Sequence, residues 1–124
     1  MGIMSSTGLV EALSMAMVKL STPATFELWT VLSAGIVNVF VPSGGGQWAV
    51  QGPLLIRAAL DLGVPLDRTI LAMAYGDELT NMLQPFWALP LLGITGLAAK
   101  DILPFTLRFL GVGLAVCLSL IALF

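Results

Sequence analysis

Asn38-Val39-Phe40-Val41-Pro42-Ser43-Gly44-Gly45-Gly46-Gln47-Trp48-Ala49-Val50-Gln51-Gly52-Pro53 is a polar, glycine-rich break in a chain that is otherwise oily. Two largely apolar stretches, 28–41 and 47–60, each 14 residues long, lie on either side of its Pro42-Ser43-Gly44-Gly45-Gly46 centre. Apolar runs of about 10–14 residues are too short to cross a bilayer and read as re-entrant or buried segments. The two stretches lie back to back around the glycines. They predict a helical hairpin that enters the membrane, turns at 42–46 and leaves by the same side. Irregular backbone at membrane depth is tolerated only where protein or a water-filled cavity satisfies its polar groups, so the break predicts a polar binding site.

The composition points the same way. The 124 residues are 58% hydrophobic and 10% charged, against about 45–50% apolar and about 25% charged in ordinary soluble domains. A net charge of −2 and the absence of histidine exclude a basic face for nucleic acid and an imidazole for metal or proton relay. Cys117 is the single cysteine and reads as a small buried hydrophobe. The N-terminus carries no Lys or Arg ahead of an apolar core, so a secretory signal is not expected from it. Met1, Gly2 and Ser6 fit the myristoylation pattern, which is short and frequent by chance.

Residues 102–124 form the strongest spanning candidate, 23 residues or about 35 Å of helix against a hydrocarbon core of about 30 Å. Asp101 is placed to cap it, Pro104 falls in its first turn and Arg108 can snorkel to the interface. Residues 61–68 read as an extramembrane turn, with Asp67 placed to cap the next helix. That helix is expected from Thr69 to about Tyr75, is interrupted from Gly76 to Pro85, and resumes from Phe86 to Leu97. Leu9, Leu13 and Met17 recur at four-residue spacing within 1–22, which suits an amphipathic helix or the tail of a truncated span. Trp29 reads as an interface anchor and Arg57 as a partner for Asp61 one turn on. Basic residues fall on both expected sides, so charge bias assigns no orientation.

The expected fold is therefore all-α: a multi-pass membrane protein of one domain, 1–124. It comprises an amphipathic or truncated helix (1–22), a re-entrant helical hairpin (28–60), a discontinuous helix (69–97) and a terminal transmembrane helix (102–124).

Two constellations carry chemistry. Three glycines permit positive φ angles and let backbone N–H groups converge into an anion-binding nest, to which the helix starting at Gln47 adds its N-terminal partial charge. Ser43, Gly44, Gly45, Gly46 and Gln47 are thus expected to hold a carboxylate. The bland alternative is a tight turn inside a helical bundle. No Lys-Ser or Lys-Thr follows the glycines, which excludes a Walker loop. In the second constellation, Asp77 and Glu78 would each cost roughly 2.5–3.5 kcal/mol at the bilayer centre. Unwound carbonyls near Gly76, with Asp77, Thr80 and Asn81, are expected to bind a coupling ion, Na⁺ or H⁺. Asn81 and Gln84 are expected to contact substrate as well. The alternative is an ordinary extramembrane loop, against which both flanks are too short to cross. Trp48, Phe86 and Trp87 could line an apolar pocket or simply pack. No catalytic triad, metal-ligand spacing or dinucleotide fingerprint is present, so neither an enzyme nor an organic cofactor is expected.

Residues 41–53, together with Ala74-Tyr75-Gly76-Asp77 and the run from Thr80 to Ile94, closely resemble signatures of the bacterial short-chain fatty acid transporter family. The resemblance implies uptake of short-chain carboxylates such as acetoacetate and butyrate across the inner membrane by an ion-coupled, multi-pass carrier. It reaches only the C-terminal quarter to third of such carriers, which implies a fragment, a truncated frame or one piece of a split carrier. The expected partners are a short-chain carboxylate, the lipid bilayer, and the missing N-terminal half or a second subunit. A non-transporting membrane subunit or assembly fragment is the alternative.

Overall fold

The computed structural model describes residues 7–123, which are helical with short connections and contain no strand. In chain order the helices are α1 (Leu9–Leu20), α2 (Phe26–Phe40), α3 (Gly44–Leu62), α4 (Leu66–Asn81), a 3₁₀ turn (Pro85–Ala88), α5 (Leu89–Thr95) and α6 (Ala99–Leu123). The helical part of the 1–22 expectation is α1. Its first six residues, and with them the myristoylation pattern, lie outside the described residues, as does Phe124.

The hairpin consists of α2 and α3, joined by Val41, Pro42 and Ser43. Ser43 adopts extended φ/ψ and its Oγ accepts the Gly46 N–H at 3.4 Å, so the cap starts α3 at Gly44. Gly44, Gly45 and Gly46 form the first helical turn instead of a left-handed nest, a correction to the sequence reading. The positive φ angles among the described residues belong to Gly8, Gly63 and Gly96. Gly63 shows what that freedom is for. It ends α3 at φ 70°, and the next N–H, from Val64, reaches back to the Ala59 carbonyl at 2.9 Å.

Next, α4 returns parallel to α2. Arg68 meets Glu27 at 3.5 Å at one end of the pair, and Asn38 bonds residues 77–81 at the other. Between these ends the two backbones nearly touch. A methyl group on Gly76 would collide with the Val31 carbonyl oxygen and stand 2.7 Å from Ala34 Cβ and 2.9 Å from Gly35 N. A methyl on Gly35 would stand 3.0 Å from Thr80 Cγ2. Small residues at this crossing admit the close approach typical of helices packing in lipid.

This contact also explains where α4 ends. The expected break at Gly76 is corrected: α4 runs unbroken to Asn81, because Gly76 sits against α2, where packing offsets its roughly 1 kcal/mol penalty in a helix. The break falls at 82–84. Pro85 disfavours the α conformation for its predecessor, and Gln84 is extended at φ −107°, ψ 114°.

Phe26, Ala34, Leu55, Ala58, Ala59, Val64 and Met73 form the apolar core where α2, α3 and α4 meet, with Val18 of α1 packed on it. Outside it, the usual pattern is inverted. Helix α2 buries Thr30, Ser33 and Asn38 while exposing Leu28, Leu32, Ile36, Val39 and Phe40. Helix α3 buries Gln47 and Gln51. Helix α6 has no buried residue and presents Phe105, Phe109, Val112 and Val116 outward. At 25 residues it is long and apolar enough to cross a membrane. It runs antiparallel to α4, with Leu79 against Gly113 and Leu120 near Leu71.

Three local expectations are corrected as well. Asp101 lies inside the first turn of α6 and its Oδ2 accepts the Ala98 N–H at 2.9 Å, so it caps from within. Asp67 sits in the first turn of α4, whose N-cap is Pro65. Arg57 does not pair with Asp61; among the described residues the ion pair is Arg68–Glu27.

Replacing Gly76 with Ala should lower the stability of the chain in detergent by about 1–3 kcal/mol, the usual cost of overpacking. Gly111→Ala meets no atom within 4 Å and should change stability by at most about 1 kcal/mol, in the stabilising direction. Unfolding midpoints in mixed micelles measure both.

Candidate functional site

At the end of the bundle where the α2–α3 tip meets the C-terminus of α4, Asn38 acts as the hub. It is fully buried, and its Nδ2 lies 2.8 Å from the Asp77 carbonyl, 2.9 Å from Thr80 Oγ1 and 2.9 Å from Asn81 Oδ1. Thr80 Oγ1 in turn donates to the Gly76 carbonyl at 2.9 Å. A side chain with two N–H groups thus links α2 to three residues of α4.

Pro42 shapes the second tie. Lacking an N–H, it leaves the Asn38 carbonyl without its i+4 partner. Gln84 Nε2 donates to that carbonyl at 2.8 Å, which fastens the break after α4 to the tip. A ladder of amides holds the other side of the hairpin. Gln47 Nε2 donates to the Ala34 carbonyl at 2.8 Å and to Gln51 Oε1 at 3.0 Å, and Gln51 Nε2 donates to Ser33 Oγ at 3.1 Å.

The tip itself is electrostatically biased. The first N–H groups of α3, at Gly44 and Gly45, have no intrahelical acceptor and carry the positive end of the helix dipole. Asp77 lies beside Gly44: a methyl there would stand 3.2 Å from Asp77 Oδ2. Asp77 and Glu78 also lie close to the C-terminus of α4, where the dipole disfavours negative charge.

Three side-chain oxygens here are buried without a donor: Asn38 Oδ1, Gln47 Oε1 and Asp77 Oδ1. Such groups are uncommon and costly in native structures.

Beside the tip opens a cavity of about 440 Å³ lined by Pro42, Glu78, Asn81, Met82, Gln84, Phe86 and Trp87. The Asn81 amide nitrogen makes no hydrogen bond among the described residues, while the Asn81 carbonyl accepts from Trp87 Nε1 at 3.3 Å. No Lys or Arg lines the cavity.

The structure thus brings Ser43, Gly44, Asp77, Thr80, Asn81 and Gln84 to one end of the fold. It does not assemble the expected oxygen cage for a metal ion. The carbonyls of Gly76 and Asp77 stay in the helix, bonded by Thr80 and Asn38. Gln47 is turned inward, 1% exposed, with both N–H groups engaged, so it has no donor left for a ligand. Sequence reading takes Asn38 only as an interruption of the apolar stretch and gives it no place in the site; its signal was a lone polar residue between Val37 and Val39 on an apolar helix. It also passed over Glu78 as a cavity wall.

The chain matches the family model described as Short chain fatty acid transporter over residues 1–123. A protein of Escherichia coli (strain K12) that carries the provisional name short-chain fatty acid transporter is 40% identical over 121 residues, covering 95% of this chain and 28% of that protein. A protein of the same provisional name from Haemophilus influenzae (strain ATCC 51907 / DSM 11121 / KW20 / Rd) is 43% identical over 108 residues, 87% of this chain and 24% of that protein. The chain therefore spans about a quarter of the length of the curated relatives it matches. No solved structure matches it.

Asn38→Ala removes two N–H donors that serve three acceptors, at about 0.5–1.5 kcal/mol per hydrogen bond, and leaves those acceptors buried. It should lower stability by about 2–4 kcal/mol in a detergent unfolding titration, well beyond any exposed Ser43→Ala effect.

Proposed function

The chain belongs to the short-chain fatty acid transporter family, and on that premise we propose that it forms one half-site of an ion-coupled carrier that takes up short-chain carboxylates across the bacterial inner membrane. In this reading α2 and α3 are a re-entrant hairpin, α4 to α5 a discontinuous helix and α6 a full span of a multi-pass protein. The rest of the carrier is further polypeptide, in one chain or a second subunit.

The observation that carries the proposal is the position of the polar cluster along α6. Leu79, between Asp77 and Asn81, packs on Gly113, and a methyl there would lie 2.6 Å from Leu79 Cδ2. Gly113 sits close to the midpoint of α6. If α6 spans, Asn38, Asp77, Thr80 and Asn81 lie near the bilayer midplane, where secondary transporters bind substrate between half-helices. The inverted burial of α2 supports the same placement, since lipid favours exposed Leu, Ile and Phe and buried polar groups.

The cavity suits a small amphiphile. Pro42, Met82, Phe86 and Trp87 offer apolar wall, and Asn81 and Gln84 offer amides. The carboxylate goes to the open N–H groups of Gly44 and Gly45, with Ser43 beside them. Asp77 and Glu78 make an uncompensated carboxylate unwelcome. At an effective dielectric of about 20, like charges about 4 Å apart repel by about 4 kcal/mol. Binding an anion here requires a cation or proton to enter with it, which is the physical basis for coupling.

The rival reading, a non-transporting subunit, draws on the inward hydrogen bonds of Asn38 and Gln47, which serve packing. A ligand-dependent thermal shift with butyrate separates the two, because only the carrier site responds.

Uptake of labelled butyrate into proteoliposomes by the full-length Escherichia coli relative tests the site. The counterparts of Asn81→Ala and Gln84→Ala should each lose roughly 10–100-fold in uptake efficiency, the value of one hydrogen bond to a charged group. Wild-type uptake in both would remove the cavity from the mechanism.

Depth is testable on this chain directly. In a Cys117→Ser background, Gly45→Cys and Thr80→Cys in liposomes should react with small permeant thiol reagents and resist bulky impermeant ones. Free labelling of both by the bulky reagent would place the tip and the end of α4 in bulk water.

A further inference from the structure

We propose that the Asp77 carboxylate is the resident anion of the hairpin tip, and that a substrate carboxylate takes its place only when Asp77 accepts one proton and turns that O–H to Asn38 Oδ1. The inference rests on the reading that the tip binds the substrate carboxylate, and it assigns the coupling ion and the residue pair that holds it.

Three observations carry it. First, the N-terminus of α3 offers its open N–H groups to one anion, and Asp77 Oδ2 already lies against Gly44 there. Second, Asp77 Oδ1 is buried without a donor, and so is Asn38 Oδ1. The Asn38 amide lies on residue 77, since its nitrogen donates to the Asp77 carbonyl at 2.8 Å, and that nitrogen's hydrogens are engaged by α4. Two residues already in contact through the Asp77 carbonyl thus each carry an acceptor short of a hydrogen, which one proton on Asp77 would supply. Third, no fixed cation serves the site. Asp77 makes no ion pair among the described residues.

The charged and titratable groups of the packed elements lie elsewhere. Glu27 on α2 pairs with Arg68 at the far end of α4. Helix α3 contributes Arg57 and Asp61 near its C-terminal end, and α6 contributes Lys100, Asp101, Arg108 and Cys117. On α4 itself are Asp67, Tyr75 and Glu78, of which Glu78 is adjacent and of like sign. A sodium ion would need several oxygens; the Gly76 and Asp77 carbonyls are already engaged within the protein, so it would have to draw on the unpaired Asn38, Gln47 and Asp77 side-chain oxygens.

The step balances simply. A proton from water on the open side joins the Asp77 carboxylate, which becomes a neutral donor to Asn38. The open N–H groups of Gly44 and Gly45, no longer faced by an anionic Asp77, receive the substrate's carboxylate, so site charge is unchanged on loading. Each substrate brings one proton, and reversal on the other side releases both.

The test is butyrate binding to the full chain in nanodiscs, by titration calorimetry in two buffers of different ionisation enthalpy, in potassium and in sodium salts. Wild type should take up about one proton per butyrate, so affinity should fall about tenfold per pH unit across the coupled range, equally in either salt. On adding ¹³C-carboxyl butyrate, the infrared spectrum should gain one protonated side-chain carboxyl band. In Asp77→Asn both signals should vanish and the affinity should lose its pH dependence, whereas Glu78→Gln should keep the band. Binding without proton uptake, binding that requires sodium, or a band that survives in Asp77→Asn would overturn the proposal while leaving the tip as the substrate site. Absence of butyrate binding at every pH would overturn the tip reading itself. Should Asp77→Asn fail to fold, proton uptake and the infrared band in wild type decide alone.

Discussion

The fold depends on two backbones passing with nothing between them. At Gly76 the main chain of α4 rests on Val31, Ala34 and Gly35 of α2, leaving no room for even a methyl group. That proximity lets one short amide, Asn38, reach three residues of α4 within 2.8–2.9 Å. A larger residue at 76 would push the helices apart and leave the Asn38, Thr80 and Asn81 groups buried and unpaired. In an apolar medium such groups cost several kcal/mol each.

A set of polar groups is packed inside the bundle beside that contact. Thr30, Ser33, Asn38, Gln47 and Gln51 are all buried, and most of their bonds run between helices. Leu28, Leu32, Ile36, Val39 and Phe40 of α2 and Phe105, Phe109, Val112 and Val116 of α6 point out. Soluble proteins reverse both halves of this pattern. Between oily helices in lipid there is little hydrophobic force, so small-residue contacts and interhelical hydrogen bonds supply the cohesion. The same amides that hold the helices also shape the tip, and for this reason the candidate site cannot be separated from the scaffold.

Geometry also distributes the labour within the site. Pro42 withholds an N–H, so Gln84 is drawn to the Asn38 carbonyl and the break after α4 closes against the tip. Pro85 sets that break by forcing Gln84 out of helical φ/ψ. The cavity lies between these two proline effects, walled by Phe86 and Trp87 from the 3₁₀ turn. Asp77 faces the positive potential at the start of α3, and this sets its carboxylate against any other anion.

Much of this was legible in residue order alone. Apolar run lengths announced a helical membrane-type chain, Gly44 to Gly46 marked the tip, and the motifs around 41–53 and 74–94 identified the family. Glycine and adjacent acids break isolated helices, so residue order puts an elbow at Gly76. The tertiary structure decided otherwise, because a glycine with a helix pressed against it serves close packing, and Asn38, about 40 residues earlier in the chain, bonds the turn of helix after it. Likewise Gln47 was legible as polar but not as inward-facing, since only the position of Ala34 and Gln51 determines where its amide points. Local chemistry therefore specified the elements and their polar interruptions. Which of those interruptions bind each other, and which remain open to a ligand, was decided by the α2–α4 contact, where non-local backbone distance outweighs local propensity.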